Sequence, residues 1–193
     1  MKGFAMGFNE DEVTTTAATW KRCLENAKNI AYKAVMKPVE GTILTVIRET
    51  YENTVDLDDN MSDLDFWKAI VKVANVSLEN TPNLLPMLKE VGVVDSGGFG
   101  LVKFFEGMLH YLEKGKIITK LKKLEENTGQ NVDFDIEDGE FGYCTEAIVM
   151  LAEENIETLK VDTVRNKFDE FGNSSIVAVK DEDILKIHTH ALQ

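Results

Sequence analysis

The sequence predicts an α + α/β chain, with a partial antiparallel helical bundle first and a partial β-α-β-β domain after it. Apolar residues recur at helical spacing from Trp20 to Leu112, which indicates amphipathic helices packed on one another. The composition then changes at Gly115 to a charged segment with little apolar surface to bury. Beyond Phe141 the apolar residues form short runs bounded by turn residues, which is typical of strands.

Five helices are predicted in the first part, with boundaries set by local chemistry. Pro38 ends the first helix because proline does not continue one, and Ser62 or Asp63 can cap the third. Thr81-Pro82 is predicted to stop the third helix before a short fourth one. The apolar positions of the five helices are Trp20, Cys23, Leu24, Ala27, Ile30, Ala31 and Ala34; Ile43, Leu44, Ile47 and Tyr51; Phe66, Trp67, Ile70, Val71, Ala74 and Leu78; Leu84, Leu85, Leu88 and Val91; and Leu101, Phe104, Phe105, Met108, Leu109 and Leu112.

A charged linker is predicted between the two parts. Residues 116–140 begin with a basic stub and continue into an acidic stretch, a composition that disfavours a packed core. The predicted domains are therefore residues 1–115 and residues 141–193, with the linker 116–140 between them.

The last part is predicted to contain a strand, a helix and two further strands. Runs rich in β-branched and aromatic residues mark the strands, and a glycine ends the helix. This β-α-β-β order is half of a split α/β sandwich. The predicted segments are the strand at residues 143–150, the helix from Val161 to Phe171 before Gly172, the strand at residues 176–179, the turn Asp181-Glu182-Asp183 and the strand at residues 184–190.

The bulk composition is that of an ordinary soluble globular protein and excludes some partners. Hydrophobic residues make up 44% and charged residues 28%, while the formal net charge is −13. This acidity disfavours nucleic acid and anionic membrane surfaces, because both bind basic proteins. No apolar stretch has the length of a transmembrane segment. Two cysteines, Cys23 and Cys144, are too few for a disulfide framework, which favours a cytoplasmic location.

A glycine-dense turn, Asp95-Ser96-Gly97-Gly98, precedes the fifth helix. Glycines before a helix let backbone N–H groups approach a phosphate, and the helix N-terminus adds positive potential. Asp95 is then a candidate for holding a ribose hydroxyl or a metal-bound water, and Ser96 is a candidate cap. The competing interpretation is a tight turn between two packed helices. The chain has no Walker A or Rossmann Gly-x-Gly-x-x-Gly motif, which excludes those nucleotide-binding folds.

Cys144, His188 and His190 form a candidate metal site. Residues two apart on a strand point to the same face, so the two histidines project side by side. If the strand with Cys144 is adjacent, one thiolate and two imidazoles converge, which suits zinc and leaves one position open. Glu146 shares a face with Cys144 and is a candidate fourth ligand or base. The alternative is a free cysteine and two surface histidines at a frayed end.

Three segments together resemble one known family. They are AYKAVMKPVEGTILTV at residues 31–46, ENTPNLLPMLKEVGVVDSGG at residues 79–98, and GYCTE at residues 142–146 together with IHTH at residues 187–190. The chain resembles the large, nucleotide-binding subunit of bacterial fatty acid kinase. The first domain of that large subunit is similar to the nucleotide-binding (DhaL-like) domain of dihydroxyacetone kinase.

The resemblance implies a fold, a reaction and partners. The implied fold is a barrel-like helical bundle that holds ATP and magnesium at one mouth. The phosphoryl group passes to a fatty acid carboxylate presented by a separate lipid-binding, DegV-like partner protein, giving an acyl phosphate for phospholipid metabolism. The full-length protein is implied to be a homodimer, and ADP is the nucleotide product.

The same resemblance implies site residues. The segments Gly41-Thr42 and Asp95-Ser96-Gly97-Gly98 are expected at the helix ends around the nucleotide. In the family, a middle domain follows, and its zinc site matches Cys144, His188 and His190.

This sequence also departs from the family pattern. The family takes its magnesium ligands from an Asp-Gly-Asp-Thr-Gly motif, which a Gly-Asn-Ser-Gly loop follows, and this chain has neither. Met1 to Phe4 resemble the middle of a family helix, so the expectation is a piece of a longer protein, truncated at both ends. Because phosphoryl transfer relies on metal-held phosphates, the chain alone is not expected to turn over ATP, and no catalytic residue is assigned.

Two other functions compete with the kinase-subunit interpretation. One is a helical module that docks the lipid-carrying partner. The other is a zinc-dependent binding or hydrolytic unit centred on Cys144, His188 and His190.

Overall fold

The structure is a computed structural model that describes residues 1–117 and 143–191. The described residues form two compact units, the first of residues 1–32 and 38–117, the second of residues 33–37 and 143–191. The predicted linker at residues 116–140 lies almost entirely outside the described residues, so the predicted domain boundaries stay a prediction.

The first unit is helical, and the predicted fold class is confirmed. Its helices are α1 (Lys2–Ala5), α2 (Ala17–Ala34), α3 (Ile43–Glu52), α4 (Asp63–Leu84), α5 (Pro86–Val91) and α6 (Ser96–Lys114). Ser62 is the N-cap of α4, and its side chain accepts a hydrogen bond from the backbone N–H of Asp65. The apolar faces of the helices meet in one core that includes Trp20, Phe66, Trp67, Ile70 and Phe105.

The predicted end of α4 at Thr81-Pro82 is wrong, because the helix continues through Pro82 to Leu84. Proline lacks the N–H that would bond to the carbonyl of Leu78 four residues earlier. The Thr81 hydroxyl donates to that carbonyl instead, at 2.7 Å. A side chain therefore replaces the hydrogen bond that proline removes, and the helix does not break.

The Thr81→Val substitution tests this account, because valine keeps the shape of threonine without its hydroxyl. Thr81 is fully buried and also accepts a hydrogen bond from the backbone N–H of Asp95. We expect the free energy of unfolding to fall by about 2 kcal/mol, since the buried Leu78 carbonyl and the partly buried Asp95 N–H lose their partner. Chemical denaturation measures the change. Thr158→Val, which removes an exposed hydroxyl bonded to a carbonyl, is the matched control; equal losses in both variants would contradict the account.

The second unit is a three-stranded antiparallel sheet with two helices. Its elements are β1 (Tyr143–Met150), α7 (Glu153–Ile156), α8 (Val161–Glu170), β2 (Ser174–Asp181) and β3 (Ile184–Ala191). The strand order is β1-β3-β2, with β3 antiparallel to both neighbours. β1 and β2 are thus parallel with β3 between them, which is the split arrangement predicted. The short helix α7 was not predicted.

The two faces of the sheet differ in burial. Ile176, Ala178, Leu185 and Ile187 are buried on one face, and α8 packs against β2. The side chains of His188 and His190 alternate with these and therefore lie on the other face. All eight residues of β1, including Cys144, are exposed, whereas His188 and His190 on β3 are half-buried.

Among the described residues, the structure contains no helix that is both long enough and apolar enough to cross a bilayer.

Candidate functional site

The start of α3 is a tight, glycine-dependent turn. Gly41 has φ +83°, a left-handed conformation that favours glycine. A Cβ added at Gly41 would lie 2.7 Å from the Cβ of Leu85 and 2.9 Å from its backbone nitrogen. Thr42 is the N-cap of α3: its hydroxyl accepts from the Leu44 N–H at 3.3 Å and donates to the Val39 carbonyl. Both predicted residues therefore shape the first turn of this helix.

The start of α6 is capped by Asp95. Its carboxylate accepts a hydrogen bond from the backbone N–H of Gly98 at 2.6 Å, and its own N–H donates to the hydroxyl of Thr81 at 3.1 Å. The interpretation of Ser96 as the cap is wrong, because Ser96 is already the first residue of the helix. An N-cap side chain usually accepts a hydrogen bond from the backbone N–H two or three residues further along the chain. Gly98 lies three residues after Asp95, so this contact has the usual capping geometry.

The structure brings the two helix starts together. A Cβ added at Gly97 would lie 3.3 Å from the Cβ of Ile43, the first residue of α3. One added at Gly98 would lie 2.9 Å from a methyl group of Val46. The glycines thus permit close packing of α6 on α3. This agrees with the alternative interpretation of the sequence as a tight turn between two packed helices. The same packing places two positive helix ends side by side, which is an arrangement suited to an anion.

A polar network that the sequence interpretation missed holds the turn before α3. Arg48 donates to the Glu40 carboxylate at 2.8 Å and to the hydroxyl of Tyr32 at 3.1 Å. The Thr45 hydroxyl donates to Glu40 and accepts from the N–H of Gly41 at 2.8 Å. Burial acts to raise the pKa of Glu40, but hydrogen bonds from Thr45 and Arg48 hold that pKa below its usual value. The ionised Glu40 carboxylate therefore orients the Thr45 hydroxyl, and that hydroxyl holds the backbone N–H of Gly41.

The second unit brings Cys144, His188 and His190 together. In the register of β1 on β3, Cys144 lies directly opposite His190, so the two share a face. One ligand atom from each of the three residues lies within 4.8 Å of the others. The Cys144 sulfur is 3.9 Å from Nδ1 of His188, and the two histidine rings are 5.2 Å apart. The metal hypothesis required the strand with Cys144 to lie next to the strand with the two histidines, and β1 does pair with β3.

The donor set of this cluster fits zinc. One thiolate and two imidazoles are ligands typical of zinc sites, and their ligand atoms lie close enough together to hold such an ion after small side-chain movements. Cys144 is exposed, whereas Cys23 is fully buried and its burial raises the pKa of that thiol to about 11. Cys23 therefore stays a protonated core side chain, and Cys144 is the cysteine available to a metal.

Glu146 lies beside this cluster. It is opposite His188 in the register, and its Oε1 is 3.2 Å from Nδ1 of His188. Its side chain is 76% exposed, against 35% for His188.

Comparison with known families assigns both units. The DAK2 domain family model matches residues 1–110, more than half of the chain. The chain belongs to the DAK2 domain family. A second family model, which describes the middle domain of FakA-like fatty acid kinase proteins, matches residues 140–193. The two matches in this order confirm the resemblance to the large subunit of fatty acid kinase.

Several staphylococcal proteins are similar to this DAK2-domain chain. An uncharacterized protein of Staphylococcus epidermidis is 40% identical over 98% of the chain and 35% of its own length. One of Staphylococcus aureus is 44% identical over 83% of the chain and 30% of its own length. One of Staphylococcus saprophyticus is 40% identical over 95% of the chain and 35% of its own length. The chain thus spans about a third of the length of these relatives.

The predicted site residues divide between the two matched regions. The paired helix starts lie within the DAK2 domain, and the cysteine and histidines lie within the middle-domain match. In each region the structure brings the predicted residues near one another. Their ligands stay a prediction.

Proposed function

We propose that this DAK2-domain chain is part of an ATP-dependent kinase subunit that phosphorylates fatty acids carried by a separate lipid-binding protein. The proposal rests on one observation: the starts of α3 and α6 meet at Gly97 and Ile43 in the unit that matches the DAK2 domain. The match of residues 140–193 to a fatty acid kinase middle domain supports the fatty acid as phosphoryl acceptor.

The chemistry of the paired helix starts supports nucleotide binding. Backbone N–H groups in the first turn of a helix have no partner within the helix, so those that no cap side chain uses can bind phosphate oxygens. Asp95 uses the N–H of Gly98 in α6, and Thr42 uses that of Leu44 in α3. Gly97 and Gly98 let the two helix starts approach each other closely, which brings their positive ends together. Asp95 uses one carboxylate oxygen as a cap, which leaves the other for a ribose hydroxyl or a metal-bound water.

We propose that this chain binds ATP or ADP without turning it over alone. Transfer of the γ-phosphoryl group needs magnesium held by carboxylates, and the chain has no Asp-Gly-Asp-Thr-Gly motif. The DegV-like lipid carrier, the homodimer, the magnesium ion, the place in phospholipid metabolism and the cytoplasmic location belong to this proposal for the full-length protein.

Nucleotide titration of the Asp95→Ala variant tests the proposal. We expect the unchanged chain to bind ATP saturably in isothermal titration calorimetry, and the variant to lose at least about tenfold in affinity, or about 1.4 kcal/mol. The reason is that the variant loses both the cap and the free carboxylate oxygen.

Ser62→Ala is the matched control for this titration. It removes the N-cap of α4, as Asp95→Ala removes that of α6, and so costs a similar amount of helix stability. It is expected to leave ATP affinity unchanged. If the unchanged chain shows no saturable binding, or if both variants bind ATP equally, the proposed site is wrong.

We further propose that Cys144, His188 and His190 hold zinc in the middle domain, because their ligand atoms lie within 4.8 Å of one another. A bound zinc ion would supply a fixed link between its ligands or polarise a molecule at an open position. The chain supplies the donors from two paired strands, so the sheet register itself sets their spacing.

A further inference from the structure

We propose that Glu40 and Thr45 are positioning residues of the nucleotide site: they fix the turn before α3 and so set the affinity for ATP without contacting it. The proposal rests on the proposed function, because it concerns the same paired helix starts. It supplies for α3 what the structure already shows for α6, where the hydroxyl of Thr81 holds the backbone N–H of Asp95.

Thr45 acts on the turn from inside the helical unit. It is the third residue of α3, and its side chain is fully buried. Its hydroxyl accepts a hydrogen bond from the backbone N–H of Gly41 at 2.8 Å and donates one to the Glu40 carboxylate at 2.6 Å. A buried hydroxyl with both contacts inside the protein does not reach a ligand at the surface. Any effect of this hydroxyl on ATP affinity therefore passes through the backbone of the turn.

Glu40 sets the direction of the Thr45 hydroxyl. A hydroxyl can rotate to donate or accept, whereas an ionised carboxylate only accepts, so the proton points to Glu40 and a lone pair is left for Gly41. The carboxylate is itself held on both oxygens. Arg48 donates to one oxygen at 2.8 Å, and the hydroxyl of Tyr32 donates to the other at 2.9 Å. Hydrogen bonds to a charged group are stronger than neutral ones, which makes this arrangement rigid.

The turn needs such support because Gly41 does not fix itself. Glycine has more backbone freedom than any other residue, and Gly41 has a φ of +83°. The backbone N–H groups of Ile43 and Thr45, in the first turn of α3, have no partner within the helix. A Cβ added at Gly97 of α6 would lie 3.3 Å from that of Ile43, so a rotation of the turn moves the two helix starts relative to each other. Hydrogen bonds to phosphate weaken steeply as their angle worsens, which links the turn to ATP affinity.

The Thr45→Val substitution tests the proposal, because it removes the hydroxyl and keeps the shape. We expect the affinity for ATP in isothermal titration calorimetry to fall about tenfold. Thr50→Val is the matched control: Thr50 is also fully buried on α3, and its hydroxyl donates to the carbonyl of Val46 at 2.7 Å. It is expected to lower stability similarly and to leave ATP affinity unchanged. Thr45→Ser, which keeps the hydroxyl, should bind ATP as the unchanged chain does.

Glu40→Ala tests the other positioning residue and carries the test should Thr45→Val not fold, because the Glu40 side chain is 47% exposed. We expect it too to lower ATP affinity about tenfold. Glu12→Ala is its control. Glu12 accepts hydrogen bonds from the Thr19 hydroxyl and from Arg22, the same two types of partner, but does not hold the turn before α3. Its ATP affinity is expected to stay unchanged.

The double variant Glu40→Ala/Thr45→Val shows whether the two residues act together. We expect it to lose about tenfold in affinity rather than about a hundredfold, because both act through one hydrogen bond to Gly41. Exchange of the Gly41 amide proton, followed by NMR without nucleotide, should be faster in both single variants than in the unchanged chain.

The possible failures of the two proposals differ. If the unchanged chain binds ATP and Thr45→Val and Glu40→Ala bind it as tightly as their controls, the positioning role is wrong, while the nucleotide site stands. A loss of about a hundredfold in the double variant would mean that the residues act separately, which also contradicts the proposal. If the unchanged chain binds no ATP, both the positioning role and the proposed nucleotide site are wrong.

Discussion

Trp67→Ala is expected to lower the free energy of unfolding of the helical unit by about 4 kcal/mol, a value typical of buried Trp to Ala changes. Trp67 has no exposed surface. Its ring contacts Trp20 at a centroid distance of 5.2 Å, Phe105 at 5.8 Å and Phe4 at 6.4 Å. Truncation leaves a cavity among aromatic rings that are themselves packed on several helices, so the surroundings cannot close around it.

Trp67→Phe is the matched variant. Among the described residues, the indole N–H of Trp67 has no hydrogen-bond partner, so removing that group alone gives up no hydrogen bond. We expect phenylalanine, which keeps an aromatic ring in the core, to cost less than about 2 kcal/mol. Chemical denaturation followed by helical circular dichroism measures both. Losses of equal size would mean that the ring contacts are not what stabilises the unit.

His188→Ala is expected to reduce bound zinc from one ion per chain to none. His188 is the central donor of the cluster, because its Nδ1 lies 3.9 Å from the Cys144 sulfur and its ring lies 5.2 Å from that of His190. Without it, two donors remain at most from the predicted set, too few for a zinc site. Metal analysis of the purified protein after dialysis measures the change.

His110→Ala is the control for metal content, since His110 lies on α6 in the other unit. It is expected to keep its zinc. Zinc at a hundredfold excess over its dissociation constant should also raise the free energy of unfolding by about 2.7 kcal/mol, an increase that His188→Ala abolishes. One zinc that persists in His188→Ala would remove this residue from the site.

Most elements of the fold could be predicted because their signals are local. The strand at residues 143–150 was predicted with its observed bounds, and Ser62 was one of two predicted caps for α4. Such signals depend on neighbours a few residues away along the chain. The confirmed family resemblance likewise rests on short contiguous segments.

The predictions of helix ends and caps were wrong where a side chain, either adjacent or from another helix, changed the local hydrogen bonding. Pro82 does not end α4, because the Thr81 hydroxyl takes over the carbonyl of Leu78. Asp95 rather than Ser96 caps α6, and its N–H is held by Thr81 of another helix. A propensity for breaking or capping a helix describes an isolated segment, and tertiary hydrogen bonds can outweigh it.

The sequence by itself determined the types of element and the family, and it supplied the candidate residues for binding phosphate or metal. Only the tertiary structure decided which of these residues meet. The pairing of β1 with β3 rather than β2 brings Cys144 and Glu146 to His190 and His188, and the packing of Gly97 on Ile43 joins two helix starts. Strand order and helix contacts form between segments tens of residues apart, and the free energy that selects them comes from burial and register across the whole unit, which no local pattern encodes.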